Sequence, residues 1–315
     1  MTSAAPPATR NLPLLPALVD QLQALDPAAP DYFDEIVELM NIDPPFAVRI
    51  IEAANSGISN PVSGVDTVPA AEARLGTVRI TRLVESMAGT HAQVPATASQ
   101  QRLWTHAAET ATVCRLAAEH MHLGTTFSHH MYLCGLLHDI GRFVMFQHAP
   151  GAIDSVAELA WSSADELIAD EHHRWGYDHA EMGFRVCRAW GLPADLASIV
   201  RDHHVYDGAH VAPDAFDRER MAIVQFADLL SLFRHEEALD VDNTADRSGE
   251  PAGSGAAEAD RLVAKVTSHF AMHPSDVPPI KPDDFYPVIA TMLRASEAVA
   301  RRLQLPRAEP IGLTA

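Results

Sequence analysis

Apolar residues recur at intervals of three and four along nearly the whole chain, and no alternating stretch bounded by hairpin turns interrupts them. This periodicity predicts an all-α protein. Leu15, Leu18, Leu22 and Leu25 line one face of a first helix, which Pro27 and Pro30 terminate because proline lacks the N–H that continues the ladder. Phe33, Ile36, Val37 and Met40 line a second. In Asp43-Pro44-Pro45 the carboxylate is placed to cap a helix, with the prolines in the first turn, where a missing N–H costs nothing. Phe46, Ile50 and Ile51 then face inward, and Asn55, Ser56 and Gly57 close that helix. Two short helices follow, around Ala70 to Leu75 and Thr77 to Met87, parted by Gly76.

The polar stretch Pro95 to Gln101 separates this first lobe, residues 12–94, from a second helical set over residues 102–239. Tyr132, Leu133, Leu136, Leu137, Ile140 and Phe143 mark one strongly apolar helix of that set, with His138 and Asp139 inside it. Helices over Ala180–Trp190 and Ala194–His204 are punctuated by Gly191 and Pro193, and Met221–Phe233 is another. Residues 242–259 hold Asp, Gly, Ser and Ala without large apolar groups, which predicts a flexible loop. Residues 260–304 supply C-terminal helices that pack on the second lobe. The predicted architecture is a two-lobed, all-α bundle.

Charge narrows the partners. Lys and Arg number 23 against 42 Asp and Glu, a net −19, which is the wrong sign for binding a phosphate backbone, so nucleic acid is not expected. No apolar run approaches the roughly 20 residues of a membrane span. Residues 1–7 carry neither a basic stretch nor an apolar core, and read as a cytoplasmic terminus. Cys114, Cys134 and Cys187 stand far apart in apolar surroundings and predict reduced, buried thiols. Trp104 and Trp190 read as core. Arg74, Arg79 and Arg82 read as a solvated helix face.

The chain holds 17 His, and their positions carry the chemistry. His138 and Asp139 lie in LLHDIGR (136–142), where burying an imidazole and a carboxylate costs several kcal/mol unless they are paired or bind metal. His106, His179, His203, His204 and Asp228 sit in comparable apolar helical contexts. A lone buried His is usually a satisfied core residue, and the pairs His129–His130 and His172–His173 read as exposed turns. The ordered set His106, His138-Asp139, His179, His203-His204, Asp228 instead suggests a metal site. Imidazole and carboxylate donors suit a divalent transition metal such as Fe, Mn, Ni or Zn, and a carboxylate can bridge two ions roughly 3.5–4 Å apart.

That ordered set resembles the HD superfamily of metal-dependent phosphohydrolases. Together with LPLLPALVDQLQAL (12–25), IDPPFAVRIIEAANSG (42–57), Leu75–Gly76 and DHAEMGFRVCRAWGLP (178–193), the chain resembles the HDOD domain, an HD-related output domain of bacterial signalling proteins. The resemblance implies a helical bundle and a role in signal transduction. It places His106, His138, Asp139, His179, His203, His204 and Asp228 at the metal-ligand positions of the related HD-GYP phosphodiesterases, with two ions, Fe or Mn favoured. Asp139 and Arg142 become the catalytic candidates. Two departures stand out: Arg142 occupies the place of a lysine, and HHVYDG (203–208) runs on to Ala209 and His210, so the GYP substrate loop is missing.

Three functions follow as expectations. The first is a regulatory protein that acts through signalling partners of kinase or cyclase type, with its metals structural or vestigial. The second is a metal-dependent phosphohydrolase acting on a nucleotide or cyclic dinucleotide. The third is a sensor that binds a phosphate-bearing ligand without cleaving it.

Overall fold

The computed structural model describes residues 12, 14–56, 64–88, 98–148, 164–206, 215–244, 255–272, 285, 289–295 and 298. Among them are twelve helices and no strand, as the periodicity predicts: α1 (Pro16–Ala24), α2 (Tyr32–Met40), α3 (Pro44–Asn55), α4 (Val68–Ala88), α5 (Ala98–His120), α6 (Thr125–Leu137), α7 (Ile140–His148), α8 (Ala164–Trp175), α9 (His179–Ala189), α10 (Ala194–Asp202), α11 (Ala215–Thr244) and α12 (Gly255–Met272). None is long and apolar enough to cross a membrane.

The first four helices pack on one another, and α3 also touches α5, α6 and α7. Asp43 joins these groups. Its Oδ1 accepts the Phe46 N–H at 2.7 Å and caps α3, while its Oδ2 accepts the indole N–H of Trp104, on α5, at 2.8 Å. Trp104 is fully buried and meets Phe143 edge-on, with ring centroids 4.8 Å apart. At the other end of α3, Asn55 holds the chain that returns from the following loop: its Nδ2 donates to the Val65 carbonyl at 3.0 Å and its Oδ1 accepts the Val65 N–H at 2.7 Å. Both polar signatures of IDPPFAVRIIEAANSG therefore serve backbone geometry. Gly76 adopts φ 70° and ψ 164° within α4, a left-handed kink that divides two helical segments as the sequence predicts. Arg74, Arg79 and Arg82 are exposed.

Around the histidines, α5 packs against α6 and α11, and α9 packs against α7 and α10. Small residues allow these close approaches: Ala107, Ala108, Ala111, Ala117 and Ala118 of α5 are buried, and a Cβ on Gly135 would stand 2.8 Å from the Ala111 Cα. α7 crosses closely over α9. A Cβ on Gly141 would lie 1.9 Å from the His179 carbonyl oxygen and 2.6 Å from the Gly183 nitrogen. The glycine of LLHDIGR thus brings the His138–Asp139 turn down onto the first turn of α9. Most of the buried apolar residues form one core cluster that includes residues from Leu12 to Leu293.

Some elements differ from the expectation. His138 and Asp139 do not lie inside one helix: α6 ends at Leu137 and α7 begins at Ile140, so the pair occupies the turn between them. Periodicity misses this break because His138 keeps near-helical geometry, at φ −53° and ψ −38°. His130 is not on an exposed turn; it is buried within α6, with Cys134 Sγ 3.3 Å from its Nε2. His172 and His173 are exposed, in the last turn of α8. The polar residues 98–101 already belong to α5, whose helix starts before the apolar stripe at Leu103. Residues 245–254 of the expected 242–259 loop lie outside the described residues, and α11 and α12 cover its edges. Of the expected C-terminal helices, α12 and a helical stretch at 289–295 are described. All three cysteines are free and buried.

Two substitutions test these contacts. Gly141→Ala forces α7 off α9 and is expected to cost about 3 kcal/mol of unfolding free energy in urea, as overpacking does. Burial raises the Asp43 carboxyl to about 6, although the N–H groups of Phe46, Trp104 and Leu15 pull it back down. Its folded pKa therefore exceeds the unfolded value, and the stability tied to its proton is lost as pH rises through about 6. Relative to Asp43→Asn, which cannot titrate, the wild type should gain up to about 3 kcal/mol between pH 7 and pH 4, read from paired denaturation curves.

Candidate metal centre

Five separate pieces of chain deliver the seven residues singled out in the sequence. α5 carries His106, the α6–α7 turn carries His138 and Asp139, α9 opens with His179, the turn after α10 holds His203 and His204, and α11 carries Asp228. The structure brings all seven together. Asp139 stands at the centre. Its Oδ1 lies 3.1 Å from His179 Nε2 and 3.6 Å from His203 Nε2; its Oδ2 lies 3.7 Å from His138 Nε2 and 3.8 Å from His106 Nε2. His204 Nε2 is 3.0 Å from His179 Nε2. Asp228 Oδ1 sits 3.1 Å from His106 Nε2 and 3.6 Å from His138 Nε2. Two clusters with metal-ligand spacing result, Asp139–His179–His203–His204 and His106–His138–Asp139, and they share the one aspartate.

The other edge of each ring explains what the centre needs. His138 Nδ1 lies 2.7 Å from the Gly135 carbonyl oxygen, and His203 Nδ1 lies 2.8 Å from that of Val200. A carbonyl oxygen can only accept, so both Nδ1 atoms carry hydrogen. His179 Nδ1 donates to Glu171 Oε2 at 2.6 Å, and the same oxygen accepts the His179 backbone N–H at 2.8 Å. His106 Nδ1 lies 3.0 Å from Ser231 Oγ, whose own hydrogen goes to Glu109 Oε2 at 2.9 Å, so His106 is the donor there too. When neutral, these four rings aim Nε2 lone pairs at one another and at carboxylate oxygens. Acceptors facing acceptors repel unless a cation lies between them. Asp139 Oδ1 is buried with no hydrogen-bond donor among the described residues, and so is His204 Nδ1. The donor set, imidazole nitrogens and carboxylate oxygens with no sulfur, fits a divalent transition metal.

The titration behaviour follows from the same deficit of positive charge. Burial works against ionised Asp139 and Asp228. Arg142, His138 and His179 overcome it at Asp139, and the adjacent His106 and His138 overcome it at Asp228, so both carboxyls stay well below the usual range. Burial alone would depress His138, but Asp139 and Asp228 raise it. Against the same burial, Glu171 leads in raising His179 to about 9. His203 and His204 are lowered, by burial first and by neighbouring histidines as well. Protons on His138 and His179 thus occupy the place a metal would take.

Arg142 Nε lies 3.0 Å from Asp139 Oδ2, so its guanidinium supports the central carboxylate. The sequence reading missed the residues that hold the rings. Glu171 looks like one more acid on the charged helix α8, and nothing in its spacing from His179 marks it. Glu109 and Ser231 each follow a singled-out residue by one helical turn, His106 and Asp228 respectively, and that spacing of three was the available signal. Gln225 Nε2 donates to the Val205 carbonyl at 3.0 Å and steadies the chain just past His204. A third cluster, His172–Asp178–Glu181, is explained as capping, since Asp178 Oδ1 accepts the Glu181 N–H at 2.7 Å at the start of α9.

Residues 12–206 match the HDOD domain. The chain belongs to that family. Among solved structures, the MmoQ response regulator of Methylococcus capsulatus aligns with 80% of this HDOD chain and 97% of its own, at 18% identity and a TM-score of 0.61. A virulence factor of Campylobacter jejuni subsp. jejuni aligns over 94% of each chain, at 15% identity and a TM-score of 0.59. At these identities the likeness is one of fold. No curated protein matches the chain.

The proton accounting is open to measurement. In the metal-free HDOD protein the His179 pKa, about 9 against an ordinary value near 6.5, means that its contribution to stability is full below about 6.5 and lost as pH rises through about 9. Loading metal at pH 7 should therefore release protons. Calorimetry in two buffers of different ionisation enthalpy is expected to count that release, and the count should fall as the pH approaches 9.

Proposed function

We propose that this HDOD protein is a bacterial signal-transduction regulator that holds a pair of divalent transition-metal ions and acts through contacts with signalling proteins of kinase or cyclase type. One observation carries the reading: four imidazoles, each fixed at Nδ1, converge through Nε2 on the two oxygens of Asp139 and on Asp228. His179, His203, His204 and Asp139 would hold one ion; His106, His138, Asp228 and Asp139 the other. Fe or Mn suits this mixture of nitrogen and oxygen donors best, with Zn or Ni as alternatives. In this reading residues 12–94 form one lobe and residues 102–239 the metal-bearing lobe, with residues 260–304 packed on the latter. The likeness in fold to a response regulator is consistent with a role in signalling.

A second reading, a metal-dependent phosphohydrolase acting on a nucleotide or cyclic dinucleotide, is favoured by the shared aspartate. When bound, two ions joined by one carboxylate supply Lewis acidity and an activated water for attack on phosphorus. Arg142, in contact with Asp139, would neutralise charge there. The regulatory reading ranks first because that guanidinium already supports Asp139 and the residues after His204 lack the GYP substrate sequence.

Elemental analysis of untagged protein is expected to find two equivalents of transition metal per chain. Asp139→Ala should lose both, because both sites use it, whereas Asp228→Ala should lose one. Metal-loaded protein offered nucleotides and cyclic dinucleotides should give no product. Turnover abolished by Asp139→Ala would establish the phosphohydrolase instead, and binding without product would identify a ligand sensor. Wild type free of metal, and unable to take it up, would overturn the metal reading.

A further inference from the structure

The four anchored rings are not held alike. His138 and His203 rest on main-chain carbonyls three residues earlier in their own chain, which no side-chain substitution removes. His179 rests on an ionised carboxylate, Glu171, that also holds its backbone. His106 alone depends on a neutral hydroxyl. Ser231 Oγ accepts from His106 Nδ1 at 3.0 Å and donates to Glu109 Oε2 at 2.9 Å, and Glu109 Oε1 takes Arg234 Nη1 at 2.7 Å. Glu109 and Ser231 are almost fully buried. Burying a carboxylate is costly, and Glu109 offsets that cost through its contacts with Ser231 and Arg234.

The relay is directional. Because the Ser231 hydrogen is committed to Glu109, its oxygen presents only lone pairs to His106, which forces the Nδ1–H form and leaves Nε2 bare toward His138 and Asp228. Helix spacing builds this economically. On α5, His106 and Glu109 are three apart; on α11, Asp228 and Ser231 are three apart. The two facing turns thus contribute two centre residues and the pair that orients one of them.

We propose that Ser231, backed by Glu109, is a positioning residue that fixes the tautomer of His106 and thereby governs the hold on one of the two ions, the one at His106–His138–Asp228, independently of the other. This rests on the two-ion reading above. Glu171 plays the corresponding part for the ion at His179.

Equilibrium dialysis with Co2+ on the full chain, followed by visible absorption, tests the assignment. Wild type should bind two Co2+. Ser231→Ala should weaken one of them by about 10–100-fold, the usual cost of losing such an outer contact, and leave the other unchanged. Its absorption should shift toward that of the singly loaded protein. Ser231→Thr, which keeps the hydroxyl, should restore the second site. Ser231→Cys, close in shape but a weaker acceptor, should weaken it less than Ser231→Ala does, and serves as the decisive arm if the alanine variant fails to fold. Glu171→Gln should weaken the opposite ion. A wild type that binds no Co2+ overturns the metal reading and this one with it. A wild type that binds two, matched in both affinities by a folded Ser231→Ala or Ser231→Cys, overturns only the role of Ser231.

Discussion

A buried carboxylate with one oxygen turned to each of two histidine clusters is the constraint around which this protein is organised. Asp139 can occupy that place only if the α6–α7 turn descends onto the start of α9, and that descent requires the bare Cα of Gly141 against the His179 carbonyl. α5 and α11 must then pass close enough to bring His106 and Asp228 to the far oxygen. The alanines of α5 are buried, and Ala111 lies against Gly135 of α6. Packing and chemistry are therefore one problem here: the small residues are small because the centre needs helices close together.

The centre is also arranged against its own stability in the absence of a cation. Backbone carbonyls, a serine and a glutamate lock four of the five rings in the form that exposes the lone pair inward. A fold selected only for packing would let those rings turn and bond to one another, or would replace them with apolar residues of similar volume, which is often neutral or stabilising. Retaining seven polar groups with their outer contacts makes sense when binding repays the cost, and here the missing term is positive charge.

Much of this was legible in the residues. The amphipathic stripes, the Asp43 cap, the stop at Asn55 and the break at Gly76 all follow from local rules, and the structure contains them. The seven centre residues could be named because each placed a polar group in an apolar helical context. What could not be read was tertiary. The break between α6 and α7 leaves no mark in the periodicity, since His138 keeps near-helical angles. His130 resembles its half-buried neighbour His129 in sequence yet is fully buried, because which face α6 turns inward depends on its packing against α5. Glu171 and Glu109 sit among other acids, and only the fold distinguishes the two whose charge is aimed at a ring.

The three thiols lie in the apolar packing rather than at the centre, and burial lifts each of them, Cys187 to about 12. A sulfur ligand would tie any metal to the redox state of its surroundings, because oxidising the ligand would eject the ion. With nitrogen and oxygen donors alone, and with its cysteines protonated and out of reach, this chain separates occupancy of the centre from thiol chemistry. Whatever information a bound ion conveys would then not pass through the oxidation of a cysteine.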